Sequence, residues 1–460
     1  MRVGVIGGGA AGITKTLRAA GHRVVVFEAA TACGGVWRYD ADAASDTSMY
    51  ESLHTNLPTG VMQLDDFSFP PGVRSFPSHR DVLQYLQSYA RHFRVDDVMR
   101  LGSRVTQVAK TGAGWELHVA SNSGQQATES YAEEFDKLLV CNGHFSQPFF
   151  GTVKGSEHFK GTVLHSHNYR TPDAFVGKSV LLVGRGPSGQ DISLELVNSG
   201  AKQVVMSCHD FAELPPSVLD KRTLKPPIDH IAPDGAVVFT DSTTLEAPDV
   251  LMYCTGYRYS VSDFLPAGIL YPSAMHAAST TPKGDDASSS APYSAPPDAA
   301  LLEELERVTA AGQALAPLYK QLFSIEEPDV AFVGLPFKNL PFLCFELQAK
   351  WLARVFAGTT ALPSKERMYE DFFAGLRELP FPVRKLHQLG ELQSAYFRDL
   401  ATLSDTKLSE VVQSMYHDAM LLRVNYPFEY RKAEYAQDPL SGRWTRTLKR
   451  EFEVAIQTFE

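Results

Sequence analysis

The fold of this chain is decided by the stretch VGVIGGGAAG, residues Val3–Gly12. Its short apolar segment predicts a buried strand, and the glycine-rich turn that follows predicts the start of a helix. In such a turn the glycines let the backbone approach a pyrophosphate, while the helix N-terminus supplies amide donors and a positive dipole end. A second segment of the same kind, VLLVGRGPSG, occupies residues Val180–Gly189. Two copies in one chain predict that it binds two dinucleotides, one flavin and one nicotinamide.

Length and composition agree with a globular protein of several domains. The 460 residues leave room for two or three domains with a large core. The hydrophobic content of 44% and the charged content of 21% are ordinary values. The net charge of -10 argues against nucleic acid or an anionic membrane as the main partner. No window reaches the ~18 consecutive apolar residues of a membrane span, so no integral membrane segment is expected.

The five cysteines are scattered along the chain, with no CxxC pair and no spacing typical of metal ligands. This distribution favours a reducing compartment and predicts no metal site. The first predicted strand begins at residue 2. That start leaves no space for a signal or transit peptide, and a cytoplasmic location is expected. Without CxxC the chain also lacks the redox-active disulfide of glutathione- and thioredoxin-reductase relatives.

The first glycine-rich turn, with Gly7, Gly9 and Gly12, is predicted to hold FAD or NAD. The predicted strand Arg23–Phe27 follows the helix and ends at Glu28, at the spacing where this fingerprint places an acid that bonds ribose hydroxyls. Such an acid repels a 2′-phosphate, which excludes NADP from this site. The alternative for Glu28 is a solvated carboxylate at the end of a strand.

The second turn, with Gly184, Gly186 and Gly189, is predicted to hold NADPH. A helix over Gln190–Asn198 and a strand over Gln203–Met206 follow it, and we place Ser207 at the matching strand end. A hydroxyl there tolerates or bonds a 2′-phosphate. The basic residues downstream either neutralise that phosphate or form a solvated loop; they are Lys221, Arg222 and Lys225. Asp210 adds a like charge close by, so NADH use remains possible.

The expected architecture is α/β, with a Rossmann-like NADPH domain inserted in a Rossmann-like FAD domain and a helical C-terminal region. Two similar strands that end in glycine turns, residues 137–144 and 249–257, are natural crossing points between the domains. The predicted boundaries are 1–165 and 259–460 for the FAD domain and 166–258 for the NADPH domain. Residues 273–299, rich in Ser, Ala, Pro and Asp, are expected to form a flexible insertion.

Further elements are predicted after this insertion. They are a helix near Leu301–Ala311, a strand Val330–Val333, an amphipathic helix near Phe345–Phe356, and helices beyond Pro363.

Between the two turns the chain reads FKGTVLHSHNY, residues Phe159–Tyr169. This segment matches the FxGxxxHxxx(Y/F) signature of the flavin-containing monooxygenases, and the chain resembles that family from residue 1 to about 365. Other segments that agree are GGVW at Gly34–Trp37, YESLHTNLP at Tyr50–Pro58, CTGY at Cys254–Tyr257, and Pro341-Phe342 with Glu346 and Gln348. They occur in the order found in the family.

The resemblance implies cofactor contacts for several further residues. Asn56 occupies the family's Thr-Asn position beside the flavin ring, where its amide can bond the flavin peroxide or the nicotinamide. A turn-capping role is its alternative. The other implied cofactor contacts are Gly35, Trp37, Thr255, Gly256 and Gln348. Trp37 is equally compatible with a plain core aromatic, and His165 in the signature is expected to have a structural role.

The resemblance also implies a reaction. NADPH reduces FAD, O2 adds to give a C4a-hydroperoxyflavin, and a small thioether or amine takes the distal oxygen. Baeyer–Villiger oxygenation of ketones is a rival, but its family has Trp where this chain has Tyr169. An NAD(P)H oxidase, or a catalytically silent nucleotide-binding redox protein, also stays open. A homodimer is possible.

Overall fold

The computed structural model describes residues 1–12, 15–64, 66–121, 129–209, 222–270, 299–438, 443–450 and 453–459. The chain divides into two compact units. Unit 1 consists of Met1–Trp37, His54–His144 and Tyr259–Glu460, and unit 2 of Arg38–Leu53 and Phe145–Arg258. Unit 2 therefore starts before the predicted boundary at residue 166 and includes an earlier segment. The predicted insertion 273–299 lies outside the described residues, except for Ala299.

The strands are numbered along the chain. They are β1 (Arg2–Ile6), β2 (Arg23–Phe27), β3 (Met99–Arg100), β4 (Ser103–Lys110), β5 (Trp115–Ser121), β6 (Glu129–Phe135), β7 (Lys137–Val140), β8 (Gln147–Pro148), β9 (Thr162–His165), β10 (Ser179–Val183), β11 (Gln203–Ser207), β12 (Arg222–Lys225), β13 (Ile228–Ile231), β14 (Val237–Phe239), β15 (Thr244–Leu245), β16 (Val250–Tyr253), β17 (Tyr257–Arg258), β18 (Leu318–Tyr319), β19 (Phe323–Ser324), β20 (Val330–Phe332), β21 (Ala433–Gln437), β22 (Trp444–Arg450) and β23 (Glu453–Phe459).

The α-helices are α1 (Thr16–Ala19), α2 (His79–His92), α3 (Pro187–Asn198), α4 (Ala299–Ala310), α5 (Pro341–Phe356), α6 (Lys365–Arg377), α7 (Gln393–Ser404) and α8 (Glu410–Asn425). Two of them, α3 and α5, begin earlier than predicted, each at a proline. Proline suits the first helical position because its fixed φ is helical and no partner is needed there for its missing N–H. Among the described helices, none is long and apolar enough to cross a bilayer.

Unit 1 is built on a seven-stranded sheet with the order β18-β19-β20-β7-β1-β2-β3. The strands from β20 to β3 are parallel. Ile6 pairs with Phe27 on one side and with Val140 on the other, and Val140 pairs with Phe332. The carboxyl ends of four neighbouring strands therefore meet at one edge, which is where open α/β sheets bind their ligands.

Unit 2 repeats this construction with a parallel five-stranded sheet of order β12-β11-β10-β16-β9. Val183, the last residue of β10, pairs with Ser207 and with Tyr253. The helix α3 follows β10 and buries Ile192 and Leu196 in the same apolar cluster as the strands. These two sheets confirm the predicted α/β class with two Rossmann-like units.

The C-terminal region is helical from α6 to α8, but a three-stranded antiparallel sheet, β21–β22–β23, follows it. The predicted helical region thus ends at Asn425, and the sheet is a feature that the prediction lacked. Aromatic rings hold this sheet together: Trp444 stacks on Phe459 with centroids 3.9 Å apart and on Tyr435 at 5.7 Å. Cross-strand pairs of this kind stabilise a sheet beyond the propensity of its single residues.

A buried arginine explains why unit 2 contains the segment Arg38–Leu53. The guanidinium of Arg170 donates hydrogen bonds to the carbonyls of Asp40, Asp42 and Thr47, at 2.7, 3.0 and 2.9 Å. Arg170 is buried and follows β9 and the 3₁₀ turn Ser166–Asn168. Its hydrogen bonds therefore attach the segment Arg38–Leu53 to the rest of unit 2. Five donors in a rigid fork suit this clamping of several backbone carbonyls.

In unit 1, hydrogen bonds hold His387 in one neutral form. Its Nε2 accepts the N–H of Leu315 at 3.0 Å, so Nδ1 carries the proton and donates to Oε1 of Gln321 at 3.1 Å. Burial lowers the pKa of His387 to about 3, and the proximity of His144 adds to the shift. Burial likewise lowers the pKa of His144 to about 4. Both imidazoles pack on the ring of Tyr259.

We predict that acid destabilises the protein partly through His387 and that H387Q reduces this effect. The unfolded chain protonates this histidine near pH ~6.5, whereas the folded chain keeps it neutral down to about pH 3. Between those values the unfolded state binds more protons. The stability is therefore complete above the unfolded pKa and is lost as the pH falls, by about 1.4 kcal/mol per pH unit for one such histidine.

The measurement is denaturant unfolding of wild type and H387Q at several pH values from neutral to about pH 5. Glutamine keeps an acceptor for Leu315 and a donor for Gln321 but does not titrate. His158, which is partly exposed, supplies the control variant H158Q, which should retain the wild-type slope. Equal slopes for wild type and H387Q would contradict the assignment.

Candidate nucleotide-binding sites

In unit 1 the first glycine-rich turn is closed by contact between backbone atoms. Gly7 has a φ of 108°, a conformation that favours glycine, and its N–H donates to the carbonyl of Phe27 at 2.8 Å. A Cβ on Gly12 would lie 1.9 Å from the Gly7 oxygen, so a side chain there would break the turn. The turn over Gly7–Gly12 therefore follows β1 with its backbone at the carboxyl edge of the sheet.

In unit 2 the second turn has nearly the same geometry. Gly184 has a φ of 106° and donates to the carbonyl of Ser207 at 2.9 Å. A Cβ on Gly189 would lie 2.3 Å from the Gly184 oxygen. The middle glycines, Gly9 and Gly186, differ from these outer ones. A Cβ on Gly9 would lie 3.5 Å from the nearest atom, and a Cβ on Gly186 would meet no described atom within 4 Å. Each turn thus has room for a Cβ at its middle glycine but not at its third.

Glu28 is fixed against the first turn. Its Oε2 accepts the N–H of Gly8 at 2.6 Å, and its Oε1 accepts the N–H of Ala30 at 2.8 Å. A carboxylate has about four acceptor sites, so two remain for the hydroxyls of a ribose. The position at the end of β2 is the one that the fingerprint requires for this contact.

The equivalent position in unit 2 is Cys208, which corrects the placement of Ser207 at the matching strand end. The N–H of Glu28 donates to the carbonyl of Arg100 at 2.9 Å, and that of Cys208 donates to the carbonyl of Lys225 at 3.0 Å. Strand β11 extends one residue further than predicted. Ser207 is consequently buried, and its hydroxyl donates to the carbonyl of Pro226 at 2.8 Å, which removes it from the ligand edge.

The basic residues predicted for the 2′-phosphate are engaged elsewhere in unit 2. Arg222 is buried, and its guanidinium donates to Oγ of Ser193 on α3 at 3.0 Å. The ammonium of Lys225 donates to Oγ1 of Thr243 at 2.9 Å. Lys221 and Asp210 lie outside the described residues. The residue after Cys208, His209, is exposed at the strand end.

The predicted residue Gly35 lies against the first turn. The N–H of Gly34 donates to the carbonyl of Gly8 at 3.0 Å, and a Cβ on Gly35 would be 2.9 Å from the Cα of Gly9. Gly35 thus belongs to the same cluster as the turn. Trp37, two residues later, is half-buried and packs against the apolar core of unit 1.

Asn56 stands in a turn of unit 1 and is partly exposed. The preceding Thr55 is buried, and its hydroxyl donates to the carbonyl of Leu57 at 2.8 Å. The 3₁₀ turn that follows is capped at Pro58, with no side-chain cap bond. Among the described residues, the side-chain amide of Asn56 has no hydrogen-bond partner, so this amide is available to a ligand.

Gln348 is buried, and both ends of its amide serve the protein itself. Its Oε1 accepts the N–H of Gly334 at 2.9 Å, and its Nε2 donates to the hydroxyl of Tyr396 at 2.8 Å. Gln348 lies on the buried face of α5, and its direct contact with a cofactor stays a prediction. It positions Gly334, which is next to the first turn.

Thr255 and Gly256 tie β17 to the segment after β8 within unit 2. The hydroxyl of Thr255 donates to the carbonyl of Phe149, and the carbonyl of Gly256 accepts the N–H of Phe149 at 2.9 Å. The Thr255 hydroxyl is thus used inside unit 2. Thr255 directly follows Cys254, which packs under the second turn next to Gly189.

His165 has the surroundings of a structural residue. It is buried, and its Nδ1 accepts the N–H of His167 at 3.0 Å. Its ring lies edge-on to those of Phe150 and Tyr257. Burial lowers the pKa of His165 to about 4, so the imidazole is neutral at physiological pH.

The sequence analysis missed Gly334 as a site residue. Gly334 follows β20 at the carboxyl edge of the sheet, with a φ of 87°. A Cβ on it would lie 3.2 Å from the Cβ of Ala11 in the first turn and 2.8 Å from the ring of Phe345. The available signal in the sequence was an apolar strand followed closely by a glycine, the pattern that also precedes Gly7 and Gly143.

Comparison with known proteins gives consistent matches. Residues 1–221 match the family model described as flavin-binding monooxygenase-like. The flavin-containing monooxygenase FMO GS-OX3 of Arabidopsis thaliana is 32% identical, over 95% of this chain and 92% of that protein. The structure of S-allyl-L-cysteine S-oxygenase from Allium sativum is 31% identical with a TM-score of 0.77, covering 94% of each chain. Tmm from Pelagibacter sp. shares the fold at 22% identity, with a TM-score of 0.74 and 96% of each chain covered.

These matches extend through both units and are not confined to the glycine turns. The two turns, with an acid at the first and none at the equivalent position of the second, fit one flavin dinucleotide and one nicotinamide dinucleotide. The enzyme is a flavin-dependent monooxygenase, and its cofactors are FAD and NADP(H). The chain belongs to the family of flavin-containing monooxygenases.

Proposed function

We propose that this enzyme uses NADPH and O2 to oxygenate the sulfur of small-molecule thioethers, with FAD bound at the first turn and NADPH at the second. The observation that carries this proposal is the matched pair of turns, each closed by its outer glycines and with room for a Cβ at its middle one. Unit 1 would hold FAD with the backbone of Gly8 and Gly9 and the carboxylate of Glu28. Unit 2 would hold NADPH at Gly186.

The absence of a carboxylate at Cys208 supports NADPH at the second turn. An acid at this position bonds the 2′-hydroxyl of NADH and repels a 2′-phosphate. A neutral cysteine neither accepts a strong hydrogen bond from the 2′-hydroxyl nor repels a 2′-phosphate. The site therefore tolerates the phosphate but does not bind it with a charged group. We therefore propose a moderate preference for NADPH, with NADH as a slower donor.

Thioethers are the proposed substrate class because a relative above 30% identity, S-allyl-L-cysteine S-oxygenase from Allium sativum, carries sulfur oxygenation in its name. Tertiary amines are the second class, since a nitrogen lone pair is also a soft nucleophile. Baeyer–Villiger oxygenation of ketones is the alternative reaction, favoured by the fold of cyclohexanone monooxygenase, which matches at 13% identity with a TM-score of 0.56.

When bound, FAD supplies the electron transfer from NADPH and the activation of O2, which no side chain can perform. The protein residues contribute binding and orientation. The amide of Asn56 can donate a hydrogen bond to the bound cofactor, and it carries no titratable proton. A donor of this kind holds a polar atom in place without offering an acid that would release hydrogen peroxide early.

The middle glycines provide a clean test of the two cofactor sites. A Cβ at Gly9 or Gly186 fits the protein but would meet a pyrophosphate that lies on the turn. We predict that G9A raises the Kd for FAD by about tenfold or more and that G186A does the same for NADPH, since ~1.4 kcal/mol of steric cost is tenfold.

The measurements are FAD binding to the apoprotein by fluorescence and NADPH binding to the oxidised enzyme. G186A is the control for G9A, because it should retain the wild-type affinity for FAD. The thermal stability of the G9A apoprotein should equal that of wild type, which excludes a folding defect. Full FAD affinity in G9A would refute FAD at the first turn, and unchanged NADPH affinity in G186A would refute the second assignment.

The side-chain amide of Asn56 is predicted to couple NADPH consumption to product formation. In N56A we expect the amount of sulfoxide per NADPH to fall by about tenfold and hydrogen peroxide to replace it, because a hydrogen bond made only during the reaction is lost. N56D keeps the shape but removes the donor, so it should match N56A. Asn168, which is partly exposed and whose amide donates to the carbonyl of Ala43 in unit 2, provides the control N168A. Normal coupling in N56D would exclude the amide as the active group.

A basic residue at position 209 is predicted to sharpen the choice of nicotinamide. His209 is exposed at the end of β11, next to the position equivalent to Glu28. We expect H209R to raise the ratio of kcat/KM for NADPH over NADH by about tenfold, because a guanidinium forms charge-assisted hydrogen bonds with phosphate. Steady-state kinetics with both nucleotides give this ratio. A ratio that does not change would place the adenosine ribose elsewhere.

A further inference from the structure

The segment that carries Asn56 is held by the C-terminal region, for which the sequence offered no role. The backbone oxygen of Thr55, directly before Asn56, accepts a hydrogen bond from Nε of Arg431 at 2.9 Å. These two residues are 376 positions apart. Arg431 lies in the 3₁₀ turn Tyr430–Lys432, between α8 and β21. All of these residues belong to unit 1.

A second contact fixes the other end of the same segment. The 3₁₀ turn Thr59–Val61 packs against α8, where a Cβ on Gly60 would lie 2.5 Å from Sδ of Met415. Leu57 and Met415 belong to one buried apolar cluster. Asn56 therefore lies between a hydrogen bond to Arg431 on one side and close packing on α8 on the other.

A third set of contacts joins the neighbouring strand-like segment to the same region. The N–H of Thr59 donates to the carbonyl of Ser75 at 2.7 Å. Ser75 in turn donates its N–H to Oε2 of Glu434 at 3.0 Å, and its Oγ accepts the N–H of Tyr435 at 2.7 Å. The backbone around Asn56 is thus anchored to residues just after Arg431 as well.

The guanidinium of Arg431 is itself oriented by aromatic rings. It lies over the ring of Tyr430, 4.9 Å from its centroid. Tyr430 packs edge-on against Phe76, with centroids 5.4 Å apart, in a separate buried cluster. A cation stacked on a ring is held in a limited range of positions, which gives the bond to Thr55 a fixed direction.

We propose that Arg431 is a positioning residue of the monooxygenase reaction, which sets the backbone at Thr55 and thereby the amide of Asn56. The part of this inference that concerns Asn56 in catalysis rests on the proposed function, whereas the anchoring of Thr55 by Arg431 does not. The C-terminal region from α8 to β21 then serves as the support of the active-site asparagine.

The first experiment measures hydrogen exchange of residues 54–62 in the apoprotein and in the enzyme loaded with FAD. In R431M the amides of Thr55 and Thr59 should exchange about tenfold faster than in wild type, because a charge-assisted anchor of the segment is lost. Lys432 is the adjacent cation and forms an ion pair with Glu429 in its own turn. K432M is therefore the matched control and should leave this exchange unchanged.

The second experiment measures sulfoxide per NADPH in R431M, N56A and the double variant. If Arg431 acts through Asn56, the double variant should be no worse than N56A alone, and R431K, which keeps one donor for the Thr55 oxygen, should recover part of the ratio. Thermal unfolding of all variants separates this effect from a general loss of stability.

Unchanged exchange at residues 54–62 in R431M would overturn the proposal, and so would losses that multiply in the double variant. A normal product ratio in N56A would instead defeat the proposed role of Asn56. The claim that Arg431 positions this segment would then be decided by the exchange data alone.

Discussion

The contact between the outer glycines of each turn is the constraint on which the nucleotide sites depend. In both units the third glycine lies so close to the carbonyl of the first that no side chain fits between them. In unit 2 this contact places the start of α3 next to the end of β10. A Cβ would meet no described atom within 4 Å at Gly186, and at Gly9 it would lie 3.5 Å from the Cα of Gly35. The middle position of each turn therefore accepts a small side chain, whereas the third position does not.

The two units share this construction but differ in the residue that follows the second strand. Glu28 accepts two backbone N–H groups and remains beside the first turn, whereas Cys208 occupies the same place by strand pairing in unit 2. This single chemical difference supports our proposal that FAD binds in unit 1 and NADPH in unit 2.

Local patterns allowed much of this to be predicted from the sequence. The glycine turns, the strands that precede them and Glu28 depend on neighbours within about 25 residues, and their spacing is diagnostic. The position of Ser207 was misjudged because the end of β11 is set by pairing with β12, not by its own residues. The partners of Gln348 could not be predicted, because only the folded chain brings Gly334 and Tyr396 to its amide.

Long-range contacts account for the remaining differences between the prediction and the structure. Arg170 collects carbonyls from residues more than 120 positions earlier, and this transfers Arg38–Leu53 to unit 2. Arg431 reaches Thr55 across almost the whole chain. No spacing rule connects such residues, so the support of Asn56 becomes visible only in the structure.

We propose that the enzyme transfers one oxygen atom from O2 to a thioether and consumes one NADPH for each product. Turnover of methyl p-tolyl sulfide with NADPH under isotopically labelled dioxygen, followed by mass spectrometry of the product, measures this transfer. We expect one labelled oxygen in each sulfoxide and one NADPH consumed per product. Unlabelled sulfoxide, or NADPH consumption that yields only hydrogen peroxide, would rule out this reaction.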